Sequence, residues 1–179
     1  MARAATTADV FNAIAEPRRR QIIDLLGDTM TMIDTAPEIK SLEIAKEQRI
    51  EAPIEIVFET ILEEIGPNNT AGQNNPMPMK LEAWPGGRWY RDLGGNAGHF
   101  WGHVQVIKPP TLLEICGPMF MSYPAANHIG YRLKAEGQST LLMFKHRGFG
   151  LLDDEHIKGV RMGWGQILER IAKAAASKR

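Results

Sequence analysis

The stretch that decides the fold is residues 153–171, DDEHIKGVRMGWGQILERI, near the end of the 179-residue chain. Its apolar residues recur at steps of three and four, which predicts an amphipathic helix with one apolar stripe. The stripe consists of Ile157, Val160, Trp164, Ile167, Leu168 and Ile171. Asp153 is placed to cap this helix, and acidic residues after it suit the positive end of the helix dipole. A stripe of this length must pack against a broad apolar surface. The strands that precede the helix are the candidate for that surface.

Short strand-like segments and turn sequences alternate between residues 79 and 146. We predict strands at residues 79–84, 88–92, 98–107, 112–116, 127–135 and 139–146. The turn sequences include Pro85-Gly86-Gly87, Gly94-Gly95-Asn96 and Glu136-Gly137-Gln138, which are typical of tight connections. Because such short connections join neighbours that run in opposite directions, the sheet is predicted to be antiparallel.

One strand and one helix are predicted before this series. The interleaved apolar and charged residues from Ile39 to Ile50 predict a long strand. From Pro53 to Gly66 the apolar residues follow helical spacing, which predicts an amphipathic helix. The segment 67–78 is rich in Asn, Gly and Pro and predicts a long exposed loop.

The first 37 residues have a different character. Two short helices are predicted, near Val10–Ile14 and Arg18–Leu26, followed by a linker that ends at Pro37. We therefore predict an N-terminal helical extension over residues 1–37 and a main domain over residues 38–179. The apolar side chains of residues 10–33 need cover, which leads us to expect a homodimer.

Composition excludes several classes of partner. Lys plus Arg and Asp plus Glu are both 21, so net charge does not attract the protein to nucleic acid or to an anionic membrane. No apolar run approaches the ~20 residues of a membrane span, and the N-terminus lacks the apolar core of a signal peptide. With its single cysteine, the chain is predicted to be cytoplasmic.

Five short motifs carry a resemblance to a known family. They are Pro85-Gly-Gly-Arg-Trp-Tyr90, Trp101-Gly-His-Val104, Pro109-Pro110, His146-Arg-Gly-Phe149 and Gly163-Trp164. In this order they resemble the family named for activators of the heat-shock protein ninety ATPase, in the START-like (SRPBCC) superfamily. The resemblance covers about Ile39 to Ala175. It implies an α+β helix-grip fold, in which a curved antiparallel sheet wraps around a long C-terminal helix and encloses a hydrophobic cavity.

The N-terminal segment has a resemblance of its own. Residues Phe11 to Leu26 are similar to the opening two helices of an arsenical-repressor-type winged helix. About a dozen residues then lead to the main domain, too few for a recognition helix and a wing. We interpret the segment as a remnant and predict no binding to nucleic acid.

Strand alternation indicates which side chains face the cavity. His146 shares a face with Leu142 and Phe144, so it is either a polar group in the cavity or a histidine bonded to backbone at the strand end. Trp89 is predicted to point inward. The predicted ligand-binding residues are Trp89, Phe100, Val104, Ile115, Met119, Tyr131, Phe144, His146 and Trp164. On sequence alone, these aromatic and sulfur-containing side chains suit either a packed core or a pocket for an apolar molecule.

Catalytic and metal sites are not indicated. His99 and His103 lie four residues apart in a predicted strand, which separates their backbones by roughly 13 Å, too far for one metal ion. No nucleophile elbow, phosphate-binding glycine loop or thiol–histidine signature is present. We predict no catalytic residues, no metal and no cofactor, although acid–base chemistry in the cavity stays open.

Three glycines interrupt the last helix. Gly159, Gly163 and Gly165 should each cost about 1 kcal/mol relative to alanine. Close approach of another backbone, a bend, or space left for a ligand would each account for them.

Three functions follow, in order of preference. The first is binding of an apolar or aromatic small molecule in the cavity. The second is a co-chaperone or other protein-interaction role through the outer sheet face and the Asn-rich loop, with a chaperone as partner. The third is regulation of transcription through the N-terminal remnant.

Overall fold

Nine strands and two helices form the part of the chain that a computed structural model describes, residues 37–72, 75–119 and 124–178. In chain order they are β1 (Lys40–Ile50), α1 (Ile54–Ile65), β2 (Thr70–Ala71), β3 (Asn75–Pro76), β4 (Lys80–Leu81), β5 (Arg88–Gly94), β6 (Ala97–Lys108), β7 (Leu112–Gly117), β8 (Ala125–Glu136), β9 (Ser139–Gly150) and α2 (Asp154–Ser177).

Seven of these strands form one antiparallel sheet in the order β1-β9-β8-β7-β6-β5-β4. From β4 to β9 the strands are joined as a meander, so each pairs with the next along the chain. The first strand completes the sheet by pairing with the last, from Lys40 opposite Gly150 to Ile50 opposite Thr140, without a register shift. The strands β2 and β3 form a separate small hairpin.

Both helices contribute to a single core with the sheet. From α1 the core takes Val57, Phe58, Ile61 and Ile65, and from α2 it takes Trp164, Leu168, Ile171 and Ala175. The predicted cap of the last helix is present, since the Asp153 carboxylate accepts a hydrogen bond from the backbone N–H of His156 at 2.6 Å. The architecture is the α+β helix-grip arrangement that the resemblance implied.

The described part of segment 67–78 is mostly exposed, as predicted, but it is not wholly a loop. It contains the hairpin β2–β3, and Asn69 at its base is buried. The Asn69 amide donates to the carbonyl of Met77 at 3.0 Å, and the Met77 backbone N–H donates to the carbonyl of Asn69 at 2.8 Å. These bonds join the two ends of the segment and close the base of the hairpin.

The predicted strand at residues 79–84 is also shorter in the structure. Only Lys80–Leu81 pairs with β5, and Trp84 lies in the turn that follows, with 57% of its surface exposed. Trp84 is therefore not a core residue, unlike Trp89, which is buried as predicted.

Strand β6 contains two extra residues relative to its neighbouring strands. Opposite β5, Trp89 pairs with Gly102 but Tyr90 pairs with Phe100, so Trp101 is an extra residue. Opposite β7, Val104 pairs with Ile115 and Val106 pairs with Glu114, so Gln105 is an extra residue. Each bulge reverses the alternation of side chains along the strand.

The two short N-terminal helices, the linker and the segment behind the homodimer prediction lie outside the described residues, apart from Pro37. The boundary near residue 37, the arsenical-repressor remnant and the homodimer stay predictions. Among the described helices, none is long and apolar enough to cross a membrane.

Candidate functional site

A cavity of about 500 Å³ lies between α2, the β2–β3 hairpin and the inner face of the sheet. Aromatic, aliphatic and methionine side chains and glycine backbone form most of its wall. Its lining residues are Asn69, Thr70, Ala71, Gly72, Met77, Trp89, Trp101, Met119, His146, His156, Gly159, Val160, Met162, Gly163, Trp164, Gln166, Ile167 and Arg170. The volume lies in the usual range for small-molecule sites.

One long wall of the cavity is a face of α2. The lining residues from His156 to Arg170 follow steps of three and four, so they share one side of the helix over roughly 21 Å. At Gly159 and Gly163, an added Cβ atom would meet no heavy atom of the described residues within 4 Å. Close backbone packing within the described chain therefore does not account for these two glycines. They leave open space on the side of α2 that lines the cavity.

A buried histidine, His146, also lines the cavity and contacts Trp164 of this helix face. The Trp164 indole N–H donates to Nδ1 of His146 at 2.8 Å, and Nε2 of His146 lies 2.9 Å from Oδ1 of Asn127. Because an indole nitrogen only donates, Nδ1 of His146 accepts, and Nε2 carries the proton that is donated to Asn127. The three side chains thus select one neutral tautomer of His146.

The orientation of Asn127 supports this assignment. Its Nδ2 donates to the carbonyl of Pro118 at 2.8 Å, which directs Oδ1 towards His146. Gly148 lies opposite Asn127 in the sheet, and a Cβ atom at Gly148 would collide with the Asn127 amide oxygen. The glycine therefore makes room for the hydrogen bond.

Burial keeps His146 uncharged. It lowers the pKa of His146 to about 4, and the charge of nearby His128 lowers the pKa further. Near pH 7 the imidazole is neutral, and both ring nitrogens have partners. The arrangement suits a structural anchor for Trp164 better than a group that exchanges protons with a substrate.

The end of the cavity next to the C-terminus of α1 is polar. Trp89 donates its indole N–H to the carbonyl of Ile65 at 2.8 Å, and Trp101 packs edge-on against Trp89 with ring centroids 5.0 Å apart. Arg170 reaches the same place from α2, where its Nε donates to a carboxylate oxygen of Glu64 at 3.1 Å. Two indole rings and one ion pair therefore surround the last turn of α1.

Four of the predicted ligand-binding residues line the cavity, namely Trp89, Met119, His146 and Trp164. Four others, Val104, Ile115, Tyr131 and Phe144, are buried in the core and are not among its lining residues. Tyr131 and Phe144 pack against Trp164, with ring centroids 6.4 Å and 4.6 Å away. Burial raises the pKa of the Tyr131 hydroxyl far above its usual value. Tyr131 and Phe144 therefore support Trp164 from the core side.

The prediction for Phe100 is wrong. Its side chain is 41% exposed, and its ring lies against the exposed His103, with centroids 4.7 Å apart. Simple alternation places Phe100 on the same face as Val104, but the extra residue Trp101 between them reverses that alternation. The bulge sends Phe100 outward and brings Trp101 to the cavity instead.

Several lining residues were not predicted from the sequence. Asn69, Thr70 and Met77 reach the cavity because segment 67–78 folds back as a hairpin, for which the sequence contains no clear periodic signal. Arg170 does carry a signal, since it follows Ile167 by three residues and so interrupts the apolar stripe of α2 with a charge.

In the described ranges, no three His, Cys, Asp or Glu side chains are grouped so that they could hold a metal ion. His99 and His103 both lie in β6, as expected, and pair with Arg91 and Arg88 of β5.

Comparison with known protein families assigns the domain. A profile of the family described as "Activator of Hsp90 ATPase homolog 1-like protein" (AHSA1) matches residues 51–176, from the end of β1 to the end of α2. The chain belongs to the AHSA1 family. The match includes every described residue that lines the cavity of this AHSA1 domain.

Solved structures show the same fold at low sequence identity. The crystal structure of CalU16 from Micromonospora echinospora is 23% identical, with a TM-score of 0.54, and the alignment covers 80% of this chain and 88% of CalU16. A protein from Rhizobium leguminosarum is 20% identical, with a TM-score of 0.58 and coverage of 79% and 98%. Protein MLL2253 from Mesorhizobium loti is 17% identical, with a TM-score of 0.57 and coverage of 76% and 98%. No curated protein sequence matched this chain significantly.

Proposed function

We propose that this AHSA1-family protein binds an apolar or aromatic small molecule in the cavity beside α2. The observation that carries the proposal is a cavity of about 500 Å³, partly open to solvent, whose helical wall includes two glycines with open space beside them. Glycine weakens a helix, so its use on this face has a cost in stability that access for a ligand would explain.

The side chains around the space suit such a ligand. Trp89, Trp101 and Trp164 present ring surfaces, on which flat apolar molecules pack well. Met77, Met119 and Met162 add flexible thioethers that adapt to irregular shapes. We propose binding without catalysis, because both nitrogens of the neutral His146 are already hydrogen-bonded.

Native mass spectrometry tests this proposal directly. The protein is purified gently from its own host, and its mass is compared before and after denaturation. We expect a stoichiometric added mass of a small organic molecule that is released on unfolding. An empty protein that also shows no thermal shift with a library of lipids and aromatic compounds would contradict the proposal.

A second candidate function is a protein-interaction role with a chaperone of the Hsp90 type. The family description favours it, together with three exposed aromatic side chains, Trp84, Phe100 and Phe149, outside the cavity. The test is saturable stimulation of the host chaperone's ATPase, with Trp84→Ala and Phe100→Ala as variants. Stimulation that these variants abolish would support the role, and no stimulation at stoichiometric excess would exclude it. Either function fits a cytoplasmic location, which we also propose and which cell fractionation tests.

A further inference from the structure

Three polar atoms in residues that line the cavity have no hydrogen-bond partner among the described residues. They are Oγ1 of Thr70, Nε1 of Trp101 and Nη2 of Arg170, and all three are buried. A buried donor without an acceptor costs about 1–3 kcal/mol. Two of these atoms are nitrogens that only donate, and the hydroxyl of Thr70 donates or accepts. Among the described residues, no acceptor is therefore bonded to these donors at this end of the cavity.

The two donors lie in one region of the site. Trp101 packs on Trp89, whose own indole N–H is bonded to the carbonyl of Ile65. Arg170 is bonded to Glu64, the residue immediately before Ile65. Both donor residues are thus linked to the last two residues of α1, Arg170 directly through Glu64 and Trp101 through the ring of Trp89.

The charge of Arg170 is already balanced. Its Nε is 3.1 Å from Oε2 of Glu64, and only 10% of the Glu64 side chain is exposed. A ligand carboxylate at this end would bring a second negative charge close to Glu64, which the single guanidinium would have to neutralise as well. An uncharged acceptor satisfies the donors without that cost.

We propose, as a deepening of the binding function above and resting on it, that the ligand is an uncharged ring compound with a carbonyl-type oxygen directed at the N–H groups of Trp101 and Arg170. Its ring system lies along α2 over the open space at Gly163. From Gly163 to Arg170 the helix rises by roughly 10 Å, which matches a two-ring aromatic body with one short substituent.

Three probes of nearly the same shape test the acceptor. Acetylnaphthalene carries a neutral carbonyl, isopropenylnaphthalene replaces that oxygen with carbon, and naphthoate carries a carboxylate. Isothermal titration of the full chain with each probe gives the dissociation constants. We expect acetylnaphthalene to bind about tenfold more tightly than isopropenylnaphthalene, the fold-change of one hydrogen bond, and naphthoate to bind more weakly than acetylnaphthalene.

A pair of tryptophan variants locates the donor. Trp101→Phe keeps a ring in the wall but removes the N–H, and we expect it to reduce the preference for acetylnaphthalene over isopropenylnaphthalene to less than threefold. Trp84→Phe makes the same change at an exposed position that does not line the cavity, and it should leave the preference unchanged.

Each contrary result has a distinct meaning. Equal binding of acetylnaphthalene and isopropenylnaphthalene would overturn the acceptor while the apolar binding function stands. Tightest binding of naphthoate would show that Arg170 serves an anion, and the uncharged class would be wrong. If none of the three probes binds while native mass spectrometry finds another small molecule, the ring-compound class is wrong and the binding function survives; if both fail, the binding function falls as well.

Discussion

At the scale of single residues, the chain of hydrogen bonds from Trp164 through His146 to Asn127 determines how the cavity wall is held. Trp164 is a lining residue whose indole N–H is fixed by His146, and His146 is fixed in turn by Asn127. Because all three are buried, each lost bond would leave a polar atom without water. The orientation of Trp164 therefore depends on the side-chain amide of Asn127, which lies in β8 beside the strand that carries His146.

Replacing Trp164 with phenylalanine should destabilise the protein. The substitution leaves Nδ1 of His146 without a donor, which we expect to cost about 1–3 kcal/mol of unfolding free energy. Urea denaturation followed by circular dichroism measures the loss. Trp84→Phe is the matched control at an exposed site and should change stability by less than about 0.5 kcal/mol. Equal effects of the two substitutions would show that the bond to His146 contributes nothing.

The burial of His146 predicts a pH dependence of stability. Its pKa is about 4 in the folded protein, against 6.5 for an ordinary histidine. Between these values the unfolded chain binds more protons than the folded one, so stability decreases as the pH falls from 6.5 towards 4. The contribution is complete above pH 6.5, and its loss by pH 4 amounts to about 3 kcal/mol.

The variant His146→Gln isolates this contribution. Unfolding free energies of both proteins are measured in urea at several pH values from 7 to 4.5, and their difference cancels the other titrating groups. We expect a shallower decline for the variant. Parallel curves would mean that His146 does not titrate differently in the folded and unfolded states.

Sequence reasoning found the position of His146 but not its partners. Alternation with Leu142 and Phe144 places His146 on the inner face, and it is buried there. Its bond to Asn127 depends on the register of β8 and β9, in which Glu136 pairs with Ser139 and Asn127 pairs with Gly148. A two-residue turn at Gly137-Gln138 produces this register of β8 and β9.

At the scale of elements, α2 packs on the core with one face and lines the cavity with a neighbouring face. Its stripe from Trp164 to Ala175 contributes to the core, whereas Gly159 and Gly163 lie beside open space. Of the three explanations that the sequence leaves open for these glycines, close backbone packing within the described chain does not hold for Gly159 and Gly163, and space for a ligand is the one that our proposal adopts. Gly165 is different, since a Cβ atom there would lie 4.0 Å from Nζ of Lys46, and it does not line the cavity.

Substituting alanine for Gly163 should change stability and ligand affinity in opposite directions. We expect Gly163→Ala to raise the unfolding free energy by up to about 1 kcal/mol, because alanine is the better helix former, and to weaken binding of a cavity ligand. Thermal unfolding and titration with acetylnaphthalene measure the two effects. Gly165→Ala is the control that gains stability without losing affinity. A Gly163→Ala protein with unchanged affinity would contradict contact between the ligand and this face.

The bulges of β6 explain why its inner face could not be predicted from period-two alternation. A strand with one extra residue presents the opposite set of side chains beyond that residue. Trp101 and Gln105 are the extra residues, and nothing in the local sequence distinguishes them from ordinary strand positions. The extra residue at Trp101 explains why Trp101 lines the cavity and Phe100 does not.

At the scale of the whole molecule, pairing between β1 and β9 sets the minimum length of the domain. The eleven register pairs from Lys40 to Ile50 join the beginning of the described chain to strand β9 near its end. Leu42 and Ile44 of β1 are buried in the core. The core is thus built from residues between Leu42 and Ala175.

A fragment of residues 38–179 should fold by itself. We expect cooperative urea unfolding of this fragment and a circular dichroism spectrum with strand and helix signals. A fragment of residues 51–179 lacks β1 and should fail to unfold cooperatively, since it loses three core residues, Leu42, Ile44 and Ile50, and the partner of β9. A disordered 38–179 fragment would contradict the predicted domain boundary.

The order of strands and helices was predictable because it rests on local patterns. The stripe of α2 and the turn at Pro85-Gly86-Gly87 each act within a few residues. The cavity was not predictable in the same way, because it depends on how distant segments meet. Thr70 and Arg170, for example, are 100 positions apart in the chain and line one space.

The far edge of the sheet has a consequence for behaviour at high concentration. Among the described residues the sheet ends at β4, which is only two residues long, Lys80 and Leu81. Lys80 also carries a charge there, paired with Asp92 at 2.7 Å. The border strand itself offers a foreign strand only two residues of backbone, beside a charged side chain. Crowded copies of this protein are therefore protected at this border from the strand-to-strand stacking that begins amyloid growth.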